Sequence, residues 1–291
     1  MDHLMRSLLF VSANNPKFIE KSVTSGADAL IMDMEDSVPE DQKAKARSLL
    51  RQHLDQGTLN GRTVFVRTNE LHSPHFMKEI DACAHRDITG FMPPKIESVE
   101  DLIFLDKLLT QKENEYNLPT RHFKLAPLIE TTASVLNLNQ ILKGQQRVEA
   151  VCFGGEDYLN DLHGTHGHPP IAFETPRAII AMTARNFGIS PIDTPFLDLS
   201  DTEGFKKEKR QAYELGFEGS LLINPRQIKD ANRCFMPSDE EVRQLEELIE
   251  AVNQTEEKGV NYGTLNGRVV GFAKKKRAKK ILNAMNKTKG E

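Results

Sequence analysis

The sequence predicts an α/β protein: a (β/α)8 barrel of the TIM type with a C-terminal helical, lid-like extension. The first observation is a series of eight short, continuous apolar runs, which is typical of strands buried on both faces. The second is that helical patterns separate these runs, which favours parallel βαβ units. The alternative is an open doubly wound sheet, but no GxGxxG motif follows the first run, which weakens its dinucleotide-binding version.

The predicted strands recur along the first 225 residues and are bounded by turn-forming or polar residues. They comprise residues 7–13, 27–35, 63–69, 88–95, 123–130, 148–157, 190–198 and 219–225.

Helix signals lie between the strands. Ser98 precedes Asp101 by three residues, close to a capping box. Pro176 and Gly188 occupy the first turn and the end of another helical pattern. The predicted helices are 15–26, 40–57, 98–117, 175–188 and 203–216.

The C-terminal region has a different pattern. We predict that the barrel spans residues 1–239 and that residues 240–291 form the extension. An amphipathic helix is predicted at 237–259. A glycine-rich loop or small hairpin follows at 260–272, and then a basic helix with a polar tail.

Composition excludes several functional classes. A net charge of −4 and a pI of about 6.2 argue against a nucleic-acid or membrane-surface binder. No apolar run approaches the roughly 20 residues of a membrane span, and no secretory signal is expected. Cys83, Cys152 and Cys234 form no CxxC pair, so we expect reduced thiols in a cytoplasmic protein.

The candidate site follows from the fold, because barrel enzymes carry their active sites at the carboxyl ends of the strands. Glu130 is notable there, since a bare carboxylate ends the apolar run "LAPLI". It is either a helix-start charge or part of a site. The polar residues at these ends are Asn14, Glu35, Asp36, Arg67, Asn69, Lys95, Glu130, Glu156, Asp157, Asp193 and Asn224.

Several acids and two cations on one rim suggest shared chemistry. Glu130 and Asp157, with waters, would suit Mg2+, and Arg67 offers a planar fork for a substrate carboxylate. Each has an ordinary alternative: a helix-start charge for Glu130, an N-cap for Asp157, and pairing of Arg67 with Glu35 or Asp36.

Seven segments, in order and with fitting spacing, resemble the citrate lyase beta-subunit family of CoA-ester lyases (HpcH/HpaI aldolase/citrate lyase). The likeness covers residues 6 to about 272. The segments are "RSLLFV", "GADALIMDMEDSV…K.KAR", "VRTN", "PPKIES", "LIETTASV", "FGGEDYLNDLHG" and "INPRQIKDANRCFMPS".

The resemblance implies an Mg2+-dependent carbon–carbon lyase acting on a 3-hydroxyacyl thioester. The products would be an oxo acid (oxaloacetate, pyruvate or glyoxylate) and an acyl-CoA such as acetyl-CoA, or an acyl-carrier thioester. It implies that Glu130 and Asp157 bind Mg2+ and that Arg67 holds the oxo-acid carboxylate. It also suggests a cytoplasmic homotrimer or hexamer. We expect Glu35, Asp36 and Lys95 to act with Arg67 in catalysis, and Gly154, Gly155 and Lys17 to contact substrate.

Three departures from the family pattern keep other functions open. The first loop reads "FVSANNP", and Asn224 replaces a usual histidine. Gly271 stands where the family's lid carries a catalytic aspartate that reaches a neighbouring subunit. The alternatives are a weakened or non-catalytic homologue that binds an oxo acid or thioester, and an aldolase acting on free 2-oxo acids.

Two further patterns each have an ordinary and a functional interpretation. His163, His166 and His168 have metal-like spacing but lie in a Gly/Pro-rich loop. The basic run 274–280 is most simply a solvated face, with CoA or carrier-protein phosphates as the functional alternative.

Overall fold

The structure is a computed structural model. The chain forms two compact units, residues 1–235 and 236–291. The structure describes residues 4–165, 167, 171–257, 262–265, 267–271, 274–276, 278–279, 281–282 and 285.

The first unit contains parallel strands joined in the order β5-β4-β3-β2-β1-β9-β8-β7-β6. The two outermost strands of this order, β5 and β6, are consecutive pieces of one chain segment, so the sheet closes into a barrel. The strands are β1 (Ser7–Ser12), β2 (Ala29–Asp33), β3 (Thr63–Arg67), β4 (Gly90–Met92), β5 (Lys124–Leu125), β6 (Leu128–Ile129), β7 (Ala150–Phe153), β8 (Ser190–Asp193) and β9 (Gly219–Leu222).

The predicted barrel is confirmed, with two corrections. The fifth predicted strand, 123–130, is split at Pro127, which has no N–H to continue the ladder. The predicted strands 148–157 and 190–198 are too long at their carboxyl ends. A helix begins at Gly155, and β8 stops at Asp193.

Alternation along the strands builds two apolar layers. In β3, Phe65 belongs to a small cluster inside the barrel, whereas Val64 and Val66 belong to the large cluster that the helices cover. This period of two is the expected result of the β-pleat. The inner cluster also includes Leu8 and Ile31, so the barrel is a packed core.

The helices alternate with the strands. The capping box of Ser98 and Asp101 is confirmed, and Gly188 ends its helix in the left-handed conformation, as expected. The helices are α1 (Pro16–Ser22), α2 (Lys43–Asp55), α3 (Phe76–Cys83), α4 (Val99–Glu115), α5 (Thr132–Leu142), α6 (Gly155–Leu162), α7 (Glu174–Phe187), α8 (Thr202–Leu215) and α9 (Ile228–Cys234). Of these, α3, α5, α6 and α9 are not among the predicted helices.

The second unit has a long helix, α10 (Asp239–Glu257), followed by an antiparallel hairpin. The hairpin consists of β10 (Tyr262–Leu265) and β11 (Arg268–Gly271), which confirms the hairpin alternative for 260–272. Most of the predicted basic helix, 273–291, lies outside the described residues. Among the helices that the structure describes, none combines the length and the apolar character needed to cross a membrane.

Candidate functional site

Arg67 is held at the carboxyl end of β3 by the neighbouring strand. The β2–β3 register places Asp33 opposite Arg67. Arg67 Nε and Nη2 donate to the two carboxylate oxygens of Asp33 at 2.7 and 2.8 Å, a bidentate pair. The guanidinium also lies 4.6 Å over the ring of Phe10. Arg67 is therefore a fixed cation.

Asp33 organises the loop after β2 as well. Its two carboxylate oxygens accept hydrogen bonds from the backbone N–H groups of Glu35 at 2.9 Å and Ser37 at 3.1 Å. Burial raises the pKa of Asp33, but Arg67 and these hydrogen bonds outweigh burial and bring the pKa below its ordinary value. Asp33 is thus ionised at neutral pH and fixes both Arg67 and the loop.

Glu35 and Asp36 face the remaining nitrogen of Arg67. Arg67 Nη1 lies 3.2 Å from Glu35 Oε2 and 3.0 Å from Asp36 Oδ2. The Asp36 side chain is 71% exposed, whereas that of Glu35 is 16% exposed. Burial raises the pKa of Glu35 to about 8, and the charge of Arg67 opposes this shift.

A buried lysine stabilises the same loop after β2. Lys43 Nζ donates to the main-chain oxygens of Met34 and Glu35, each at 2.8 Å, and to Asn69 Oδ1 at 2.9 Å. The backbone N–H of Asn69 donates in turn to Glu79 Oε2 at 2.7 Å. These contacts join the ends of β2 and β3, so Asn69 serves as a brace of this loop.

Glu130 is a buried carboxylate, 3% exposed, directly after β6. Its Oε1 accepts a hydrogen bond from the backbone N–H of Lys95 at 2.8 Å. Burial raises the pKa of Glu130 to about 7; the Lys95 amide opposes this shift and the charge of Asp157 adds to it. Lys95 itself has φ +50°, a left-handed conformation that costs a non-glycine residue roughly 1–2 kcal/mol. Its ammonium group pairs with Glu70.

Two adjacent glycines allow close packing where α6 begins. A Cβ on Gly154 would lie 2.4 Å from Glu130 Oε2. A Cβ on Gly155 would lie 2.5 Å from Thr194 Oγ1. Gly154 is the N-cap of α6, and Asp157 lies in the first turn of that helix. Close backbone approach thus brings the start of α6 against Glu130.

The donor set fits a hard divalent cation. Glu130 and Asp157 interact electrostatically, and the Asp157 side chain is exposed while Glu130 is buried. No cluster of three His, Cys, Asp or Glu side chains suited to a metal occurs among the described residues. Two carboxylates suit Mg2+, which keeps several waters and often takes only one or two protein carboxylates.

Several other candidate residues lie in different surroundings. Asp193 is buried in ion pairs with Arg177 and Lys209, and Asn224 accepts a hydrogen bond from the N–H of Arg226. Lys17 lies exposed in the first turn of α1. His163 adopts a left-handed conformation at the C-cap of α6, while His166 and His168 lie outside the described residues.

Sequence reasoning missed Asp33, Lys43 and Thr194. Asp33 could have been found, because it is a lone acid within the apolar run "ALIMD" and a buried charge needs a partner. Lys43 opens an ordinary amphipathic helix, so its only signal is its place in the "K.KAR" motif.

Comparisons with known proteins agree with this fold. Residues 6–225 match the model of the HpcH/HpaI aldolase/citrate lyase family. A citrate lyase subunit beta from Leuconostoc mesenteroides subsp. cremoris is 31% identical, over 98% of this chain and 94% of the relative. An L-malyl-CoA/beta-methylmalyl-CoA lyase from Cereibacter sphaeroides is 28% identical over 95% and 93%.

A solved structure is also similar. It is a citrate lyase beta subunit from M. tuberculosis complexed with oxaloacetate and magnesium. The two share 27% identity with a TM-score of 0.68, over 81% of this chain and 99% of that one. The barrel fold and these relatives together identify the chain as a carbon–carbon lyase. The chain belongs to the HpcH/HpaI aldolase/citrate lyase family.

Proposed function

We propose that this chain is an Mg2+-dependent lyase that cleaves a 3-hydroxyacyl thioester into an oxo acid and an acyl-CoA such as acetyl-CoA, or forms the thioester from them. The observation that carries the proposal is Glu130, a buried carboxylate beside Asp157 that contacts the backbone amide of Lys95. Burial of a carboxylate without a cation is costly, and a bound metal removes that cost.

Glu130 and Asp157 would hold the metal. When bound, Mg2+ supplies a positive charge that polarises the oxygen at the bond being broken or formed. Lys95 orients Glu130 through its backbone amide and adds positive charge near the pair. Gly154 lets the backbone at the start of α6 approach Glu130 closely, which brings Asp157 near it.

Arg67 would bind the oxo-acid carboxylate through Nη1. Asp33 occupies Nε and part of Nη2, so the full fork is not available to substrate. Nη1 is paired with exposed Asp36, and exposed ion pairs contribute little stability, roughly 0–1 kcal/mol. A substrate carboxylate can therefore replace Asp36 there, while Glu35 stays beside the cation.

The experiment is calorimetric titration of oxaloacetate, pyruvate and glyoxylate into the protein, first with Mg2+ and then with EDTA. We expect one acid to bind only with Mg2+. Glu130→Gln should abolish that binding, because the amide keeps the shape of the side chain but loses its charge. Glu149→Gln, at the opposite end of the barrel, is the matched control and should bind as the wild type does. Equal binding in EDTA would count against the proposal.

Turnover separates this function from a second candidate. Gly271 favours a protein that binds the oxo acid without cleaving a thioester, because the resemblance places a catalytic carboxylate at that position. Cleavage of citryl-, malyl- or citramalyl-CoA with Mg2+ would support the lyase. Binding of the acid with no cleavage of any of the three would support the second candidate.

We further propose that the protein is cytoplasmic and acts as a homotrimer or hexamer whose lid crosses to a neighbouring subunit. A shared site predicts that the rate per subunit falls on dilution. A rate per subunit that is independent of concentration would argue for self-contained subunits.

A further inference from the structure

The helix that carries Asp157, α6, begins at an N-cap residue that has no capping side chain. The N-cap residue, Gly154, has no side chain to accept from the first N–H groups of α6. Instead the N–H of Gly155 donates to Thr194 Oγ1 at 2.9 Å. Thr194 follows β8 directly and is 2% exposed. A hydroxyl from the next strand thus fastens the first turn of α6, two residues before Asp157.

The contact at this junction is close. A Cβ on Gly155 would lie 2.5 Å from Thr194 Oγ1 and 3.1 Å from Phe173 Cζ. Little free space therefore remains there, so the hydroxyl of Thr194 defines where the backbone of Gly155 can lie.

Thr194 is itself held by buried charges. Lys209 Nζ donates to the main-chain oxygen of Thr194 at 2.6 Å and to Asp193 Oδ2 at 2.8 Å. Arg177 donates to both oxygens of Asp193, at 2.7 and 3.0 Å, and to Glu208 at 2.8 Å. The side chains of Asp193 and Lys209 are fully buried.

Stability alone is a weak reason for such a network, because buried ion pairs can often be replaced by apolar side chains without loss. Its geometry has a more specific consequence. The network ends at Thr194, and the hydroxyl of Thr194 accepts from the turn that leads to Asp157. Groups behind a metal ligand commonly set its orientation and its affinity for the metal.

We propose that Thr194, held by Asp193, Arg177 and Lys209, is a positioning residue that sets the place of the Asp157 carboxylate for Mg2+. The inference rests on the proposed function, because it assumes that Asp157 is a metal ligand.

The test is the Mg2+ affinity of the full chain, measured by calorimetric titration of MgCl2. Thr194→Val keeps the shape of the side chain but removes the acceptor, and we expect the dissociation constant to rise about 10-fold or more. Thr194→Ser keeps the hydroxyl and should stay within about twofold of the wild type. Thr194→Ala removes the hydroxyl without adding volume and should match Thr194→Val; it serves if the valine variant does not fold.

A matched control lies at the opposite end of the barrel. Thr110 Oγ1 accepts from Arg147 Nη2 at 2.9 Å, and Arg147 pairs with buried Glu113. Thr110→Val therefore removes a hydroxyl from another buried charge network, and it should leave the Mg2+ affinity unchanged. Melting temperatures without Mg2+ show that each variant is folded.

Two results would overturn this inference and leave the proposed function standing. One is a folded Thr194→Val or Thr194→Ala protein that binds Mg2+ as tightly as the wild type. The other is an equal loss of affinity in Thr110→Val, which would make the effect a general one of destabilisation. A wild type that binds no Mg2+ would overturn the proposed function itself, and with it this inference.

Discussion

The contact between Gly154 and Glu130 is the tightest constraint on a single residue of the candidate site. A Cβ on residue 154 would lie 2.4 Å from Glu130 Oε2 and 2.6 Å from Glu130 Cβ. The second distance matters more, because Glu130 Cβ is next to the backbone and cannot swing away. We expect Gly154→Ala to displace the carboxylate and to weaken Mg2+ binding at least 10-fold, measured by calorimetry.

Gly144→Ala is the control for this prediction. Gly144 has φ +77°, and a Cβ added there would meet nothing within 4 Å. Its substitution should cost about 1 kcal/mol of stability through backbone strain and leave the affinity for Mg2+ unchanged. Unchanged Mg2+ binding in folded Gly154→Ala would contradict the role given to this contact.

The pKa of Asp33 leads to a prediction about how the free energy of unfolding depends on acidic pH. Its pKa in the folded protein is below its ordinary value, so its contribution is fully present above the unfolded pKa, about 3.9. That contribution is lost as the pH falls through the lower, folded value. Asp33→Asn leaves the buried Arg67 guanidinium poorly paired, at a cost of about 3 kcal/mol at pH 7.

Denaturant unfolding of wild type and Asp33→Asn between pH 7 and pH 3 measures this contribution. The difference in unfolding free energy should be constant from pH 7 to about pH 5 and shrink below about pH 4. Asp36→Asn is the comparison, because exposed Asp36 should contribute at most about 1 kcal/mol. A difference for Asp33→Asn that persists unchanged to pH 3 would mean that its ionisation is not the cause.

Residues of the site differ in how readily the sequence predicts them. The sequence indicates Glu130 because a carboxylate ends an apolar run, and Arg67 because it lies near the end of another predicted strand, in a motif. The sequence does not predict their contacts, since Arg67 is held by Asp33 and not by Glu35 and Asp36 alone. Thr194 cannot be found from sequence, because its partner Gly155 lies 39 residues away on another element.

Helix ends illustrate what is predictable at the scale of one element. Ser98 accepts from the N–H of Asp101 at 3.2 Å, and the Asp101 carboxylate accepts from the N–H of Ser98 at 3.0 Å. Ser98→Ala removes one half of this capping box and should cost about 1 kcal/mol of unfolding free energy. Denaturant unfolding measures it, and Ser98→Thr, which retains the hydroxyl, should cost less.

The strands and the long helices were predictable because periodicity and caps are local signals. Strand ends were not, because the same residues are compatible with the end of a strand or the start of a helix. In the segment 148–157 the apolar run continues into two glycines, and only tertiary contacts of Gly154 and Gly155 make the helix start there. The break at Pro127 is local, yet the run around it is apolar enough to hide it.

Over the whole molecule, the second unit poses the remaining question about turnover. Its hairpin places Gly271 at the end of β11, paired with Tyr262. Within the basic run, Lys275 is already paired with Glu256, so it is less available for a phosphate than a solvated lysine would be. If the lid acts as the resemblance implies, the carboxylate that would exchange a proton during cleavage is missing at position 271.

Gly271→Asp therefore tests whether the rest of the machinery is in place. General acid–base catalysis contributes roughly 10²–10⁴ in rate, so we expect kcat for thioester cleavage to rise by about 10² or more. Gly271→Asn has nearly the same shape but cannot serve as the acid, and it should show no such gain. Mg2+ and oxo-acid affinities should stay at the wild-type values in both variants. An Asp variant that binds normally but turns over no faster than the Asn variant would place proton transfer elsewhere in the chain.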